Sequence, residues 1–248
     1  GVNTGGVFGH IFDFSSMPVV GKALFALVAC IILTTVFSSI AGFFMAKYKM
    51  HPFISTMANM LIIFGLVTYA TKGVSFGAID SAIPNMFIPT IGSFPTIIIW
   101  AVVAIVVVWF IWNKTTFGKN LYAVGGNPEA AAVSGISVFA VTLGAFIMAG
   151  ILYGFGSWLE CTRMVGSGSA AYGQGWDMDA IAACVVGGVS FTGGIGKISG
   201  VVTGVLIFTS LTYSLTILGI DTNLQFIFEG IIILAAVTLD CLKYVQKK

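Results

Sequence analysis

Residues 97–112 read IIIWAVVAIVVVWFIW, sixteen positions without a charge, an amide or a hydroxyl. A run of this kind has no polar face to offer water, so it must be surrounded by protein or by lipid. Composition decides between the two. Only 8% of the 248 residues are charged and 58% are hydrophobic, whereas a soluble domain carries roughly a quarter charged residues. Too few polar side chains exist to coat a water-facing surface, and the chain reads as a membrane protein. Its net charge of +2 is small and dispersed, which argues against a nucleic-acid partner.

A helix crosses the hydrocarbon layer with about 20 apolar residues, roughly 17 to 25 being tolerated. Segments 23–46, 52–71, 95–112, 136–159, 198–220 and 223–239 meet that length, with Pro95 expected in a first helical turn. Segment 180–196, AIAACVVGGVSFTGGIG, is short and rich in glycine, so a broken helix or a re-entrant loop stands beside a full crossing. Cytoplasmic loops near span ends collect Lys and Arg. If 180–196 crosses, Lys47, Lys49, Lys114, Lys119, Lys197, Lys243, Lys247 and Lys248 share one side, against Lys22, Lys72 and Arg163 on the other. The expectation is therefore an all-α polytopic membrane protein, one transmembrane domain over 1–248 with about seven transmembrane helices. It starts outside and ends in the cytoplasm. The chain opens without Met, basic residues or a leading apolar run, so a preceding N-terminal part is expected.

Gly196, Gly200 and Gly204 recur every four residues, as do Gly150 and Gly154. Such spacing makes smooth helix faces for close packing, and packing is the role expected of them. Polar groups at membrane depth are costly when unpaired. Asn59, Gln225 and Glu229 are the candidates for lining a pathway that passes a hydroxyl-rich solute. Interhelical hydrogen bonding is the other reading for Asn59 and Gln225, and a protonated, inert acid the other for Glu229. Trp158 is expected to close the fourth span as an interfacial anchor, with stacking on a sugar as its second reading. Asp179 reads as an N-cap or first-turn acid of a short helix.

The cytoplasmic loop 113–136 contains GGNPEAAAVSG. Gly125 and Gly126 permit a tight turn, Asn127 is a preferred N-cap, Pro128 suits the first helical position and Glu129 complements the helix dipole. Ala130 to Val133 favour helix and Gly135 ends it. A helix this short is not stable alone. It either docks in a groove, on its own protein or another, or serves as a self-capping loop.

Enzymatic chemistry finds no foothold. His10 and His51 are isolated, and the four cysteines, Cys30, Cys161, Cys184 and Cys241, lack disulfide or metal spacing. The run ending Gly196-Lys197 fails as a phosphate-cradling loop: Phe191 stands where Gly is needed and Ile198 where Ser or Thr is needed. If transport is active, the energy arrives from a partner.

The stretches TTFGKNLYAVGGNPEAAAVSGI, DAIAACVVGGVSFTGGIGKISGVVTGVLI and FEGIIILAAVTLDCLKY together resemble the permease subunits of bacterial sugar ABC importers of the ribose/galactose type. That resemblance implies import of galactose or a related sugar across the inner membrane by alternating access. A passive channel or facilitator is the alternative. The implied partners are a second permease copy, a cytoplasmic ABC ATPase, a periplasmic sugar-binding protein and the lipid bilayer. No cofactor is implied on this chain, ATP and Mg²⁺ being held by the ATPase. The family has ten spans with both ends cytoplasmic, so seven here correspond to its last seven. The segment Asn127, Pro128, Glu129, Ala130 and Ala131, closed by Ser134 and Gly135, is similar to the element that couples to the ATPase. Two residues depart from the family pattern: Ala132 stands where a basic residue is frequent, and Glu229 where Lys is frequent.

Overall fold

The computed structural model describes residues 18–74, 82–92, 94–164, 168–169, 171–190 and 193–245. Helices dominate: α1 (Val19–Tyr48), α2 (Pro52–Thr71), α3 (Ala82–Phe87), α4 (Ile97–Lys114), α5 (Thr116–Gly126), α6 (Pro128–Val133), α7 (Val138–Met164), α8 (Trp176–Val186), α9 (Ile198–Ile217) and α10 (Thr222–Val245). Two-residue strands β1 (Thr90–Ile91) and β2 (Phe94–Pro95) pair antiparallel, Thr90 opposite Pro95.

Among the described residues five helices, α1, α2, α4, α7 and α9, are long and apolar enough to cross a membrane. Their outward faces carry the signature of lipid contact. Helix α4 buries none of its residues, and Val102, Val106 and Phe110 stay 52%, 56% and 56% exposed. A water-soluble protein does not present that much contiguous hydrocarbon. The chain is a helical polytopic membrane protein. Segment 180–196 is not a spanning helix: α8 has eleven residues, about 16 Å at 1.5 Å per residue, half the hydrocarbon thickness. It stops at Gly187–Gly188, where Gly188 has a positive φ of 82°. Pro95 also departs from expectation, pairing in β2 while the helix begins at Ile97.

The described residues form two compact units. The first draws on 1–107 and 137–172, with α1 against α7 as its main pairing. Small residues let these backbones meet. A Cβ on Gly150 would lie 2.6 Å from Thr35 Cα, and one on Gly154 2.5 Å from Ile31 Cα. Hydroxyls lock the crossing: Thr34 Oγ1 donates to the Gly150 carbonyl at 2.8 Å and Ser38 Oγ to that of Phe146 at 2.7 Å. Ala23, Trp158 and Leu159 form the buried cluster, flanked by Phe87, Trp100 and Phe155.

The second unit draws on 108–136 and 173–248. Helix α8 packs on α9 and α10, with Ala182, Ala183 and Phe208 at the centre and Ile232 and Ile233 against them. Gly200 meets the Gly187 carbonyl and Gly204 that of Ala183, so closely that no Cβ fits at either position. Gly196 belongs to the loop preceding α9, two residues before its start, and faces the Val189 side chain instead. The four-residue face thus runs through Gly200 and Gly204 only.

Candidate functional site

The segment 113–136 folds as two short helices joined at one residue. Thr115 caps α5, its hydroxyl accepting from the Gly118 amide at 3.2 Å. Phe117, Leu121 and Val124, spaced four and three apart, lie along the half-buried side of α5 while Lys119 and Ala123 stay exposed. Asn127 serves both helices. Its amide donates to the Ala123 carbonyl, ending α5, and its Oδ1 accepts from the amides of Glu129 and Ala130 at 3.0 Å each, starting α6. Pro128 occupies the first turn. At the other end Gly135, with φ 81°, donates to Ala132 while Ile136 donates to Ala131. This paired closure needs a left-handed residue, hence glycine.

Helix α6 is exposed over most of its surface. Asn127, Pro128, Glu129, Ala130, Ala132, Ser134 and Gly135 are exposed, and Val133 is 91% exposed. Ser134 spends its hydroxyl on the Ala130 carbonyl. Ala131, expected in the same set, is 4% exposed and turned into its own protein.

Gly125 and Gly126 do not form a turn; they are the last helical residues of α5. Their smallness has another use. A Cβ on Gly125 would lie 2.8 Å from the Gly194 amide nitrogen, and one on Gly194 2.6 Å from Gly126 Cα. Gly193 and Gly194 both hold positive φ, 96° and 74°. The diglycine of α5 therefore rests directly on the diglycine of the loop between α8 and α9. Beside this crossing, the Tyr122 hydroxyl donates to the Gly196 carbonyl at 2.8 Å. Sequence reasoning missed α5 and this crossing. The amphipathic spacing within 116–126 was a usable signal for the helix, but nothing in the sequence pairs the two diglycines.

The four residues considered for a pathway lie in different surroundings. Asn59 is half-buried on α2. Trp158 does not sit at the end of its span; α7 continues to Met164. Its indole is 5% exposed, with Nε1 donating to the Ala23 carbonyl at 3.1 Å and its ring edge-on to Phe87. The expected interfacial anchor is thus a core residue. Gln225 and Glu229 share a face of α10 and are buried. Gln225 Nε2 donates to the Ile220 carbonyl at 2.9 Å, tying α10 to the turn before it. Glu229 lies beside Asp179 of the first turn of α8. Asp179 is not the N-cap; Gly175 is.

After the fourth apolar segment, Arg163 pairs with Glu160, and Tyr172 donates its hydroxyl to the same carboxylate at 2.6 Å. That hydrogen bond pushes the Tyr172 phenol above its ordinary pKa. Among the described residues no three His, Cys, Asp or Glu side chains gather as a metal site would require. His10 and the Cys241 side chain lie outside the described residues.

Comparison with known proteins gives a family and a set of relatives. Residues 6–237 match the family described as the permease component of the branched-chain amino acid transport system. A galactose/methyl galactoside import permease of Treponema pallidum (strain Nichols) is 52% identical over 246 residues, covering 96% of this chain and 46% of the relative. Its counterpart in Escherichia coli (strain K12) is 43% identical over 244 residues, 95% of this chain and 71% of the relative. A ribose import permease of Bacillus subtilis (strain 168) is 37% identical over 204 residues, 80% and 62% respectively. The chain thus spans a little under half the length of the Treponema relative. No solved structure matches it.

Proposed function

The chain belongs to this family of transport permease components, multi-pass proteins of the inner membrane, and from that premise we propose that it serves an ATP-driven sugar importer as its membrane-spanning subunit. The sugar class rests on likeness to galactose import permeases along nearly the whole chain. The geometric observation that carries the ATP-driven part is α6. A six-residue helix is about 9 Å long and far too short to persist on its own in water. Here it is capped at both ends and presents small exposed side chains around Val133. Such a knob, between the short α5 and the long apolar α7, suits a shallow groove on a partner.

The partner is a cytoplasmic ABC ATPase that holds ATP and Mg²⁺, and Asn127, Pro128, Glu129, Ala130, Ser134 and Gly135 are the contact set. With Ala132 in place of a basic residue, the contact is made by shape and by the α6 backbone rather than by charge. The loop 113–136 faces the cytoplasm and the strongly basic C-terminal tail lies on the same side. Two permease copies enclose one path, and a periplasmic binding protein delivers the sugar. ATP binding closes the ATPase pair, α6 moves with it, and the path opens outward; hydrolysis resets the inward-facing state. The full importer has about seven crossings from this chain.

Reconstitution tests this reading. Proteoliposomes holding the permease, its ATPase and the binding protein should take up galactose only with ATP, and loaded binding protein should raise ATP hydrolysis. Uptake by the purified permease without nucleotide would establish a passive facilitator instead. Uptake of leucine or valine in place of the sugar would overturn the substrate class. Glu129→Cys should cross-link to the ATPase in active complexes, and repeated failure there sinks the docking assignment.

A further inference from the structure

We infer that Tyr122 and the crossed diglycines, Gly125-Gly126 on Gly193-Gly194, form the positioning contact through which displacement of α6 reaches the half-helix α8. The inference rests on the importer reading and extends it to residues outside the coupling segment.

The contact is contiguous and stiff. Asn127 joins α6 to α5 by bonds from both its backbone and its side chain, so the short helices share one hinge residue. The α5 end then touches the 193–196 loop backbone to backbone, because neither diglycine has a Cβ to interpose. Flexible side chains absorb small displacements by changing rotamer, whereas two abutting backbones do not. The Tyr122 hydrogen bond to Gly196 pins the same loop beside the crossing. On its far side the loop is closed by the Ser190 amide donating to Ile195 at 2.9 Å, and α8 lies immediately before it. Helix α8 in turn holds Asp179 against Glu229 of α10. Mere packing would explain the glycines, but not a tyrosine hydroxyl spent on a loop carbonyl 74 positions away.

Two measurements on Tyr122→Phe, which keeps the ring and removes the hydroxyl, decide the matter. In the detergent-solubilised full chain, amide hydrogen exchange across 193–197 should rise about fivefold, the population change expected from one net hydrogen bond. In proteoliposomes with the ATPase and binding protein, galactose taken up per ATP hydrolysed should fall by a similar factor. Gly125→Ala, whose Cβ would press on the Gly194 amide, should lower the same ratio further at equal membrane expression. Unchanged exchange in the loop shows that Tyr122 does not hold it and overturns the contact. Raised exchange with a wild-type uptake ratio overturns the transmission role alone. A wild-type complex that shows no ATP-driven uptake refutes the importer reading and this role with it, whatever the exchange result.

Discussion

Asn127→Ala tests the most heavily determined local structure in the chain. The Asn127 Oδ1 accepts two amides, those of Glu129 and Ala130, at 3.0 Å. Replacing a good N-cap by Ala typically costs about 1 kcal/mol, within roughly 0.5–2. Six residues close few intrahelical hydrogen bonds, so α6 has almost no reserve of its own against that loss. A loss of about 1 kcal/mol multiplies the open population about fivefold. The assay is hydrogen exchange by mass spectrometry on the full chain in detergent, reading the amides of Ala131, Ser134, Gly135 and Ile136, all donors in this motif. They should exchange about fivefold faster in Asn127→Ala, while α7 stays unchanged. Asn127→Asp keeps an acceptor at the cap and should behave as wild type. An unaltered rate in Asn127→Ala, or an equal rise in Asn127→Asp, would refute the capping argument.

Other perturbations follow from the packing. Gly154→Ala should destabilise the α1–α7 pair by about 1–3 kcal/mol, as overpacking does, and lower the thermal midpoint in detergent. Gly156→Ala, with open space around its would-be Cβ, should be neutral or stabilise by up to about 1 kcal/mol through helix propensity. Trp158→Phe should lose about 0.5–1.5 kcal/mol with the hydrogen bond to Ala23, and Trp158→Ala about 3–5 kcal/mol, both read from unfolding in detergent; a Trp158→Ala protein as stable as wild type contradicts the core assignment. Gln225→Leu removes the bond to Ile220 and should cost about 1 kcal/mol, with turnover in proteoliposomes unchanged once the protein is folded. A large fall in turnover at wild-type stability would place Gln225 in the pathway.

Local chemistry was the legible part of this protein. The α6 caps involve partners two to five residues apart, so Asn-Pro-Glu at one end and Ser-Gly at the other announce the helix wherever the chain runs. The same holds for α2, read as 52–71 and found as Pro52–Thr71, because apolar length is a property of the segment itself. Half-helix α8 stayed open between a full crossing and a broken helix, because an apolar run resembles a span until its glycines stop the helix at Gly187. Trp158 misled for a different reason. An aromatic ring near a charged residue looks interfacial, and only the α7 extension and the Ala23 carbonyl 135 positions away make it core.

Composition alone determined that this chain lives in lipid, since 8% charged residues cannot coat a surface in water, and short-range caps determined where α6 begins and ends. Tertiary structure decided which small residues matter. Gly125 and Gly194 are two glycines among 31 in the sequence, and only the fold brings them together. Hydropathy and capping are carried by neighbours along the chain, while a backbone-to-backbone crossing depends on the path of everything between.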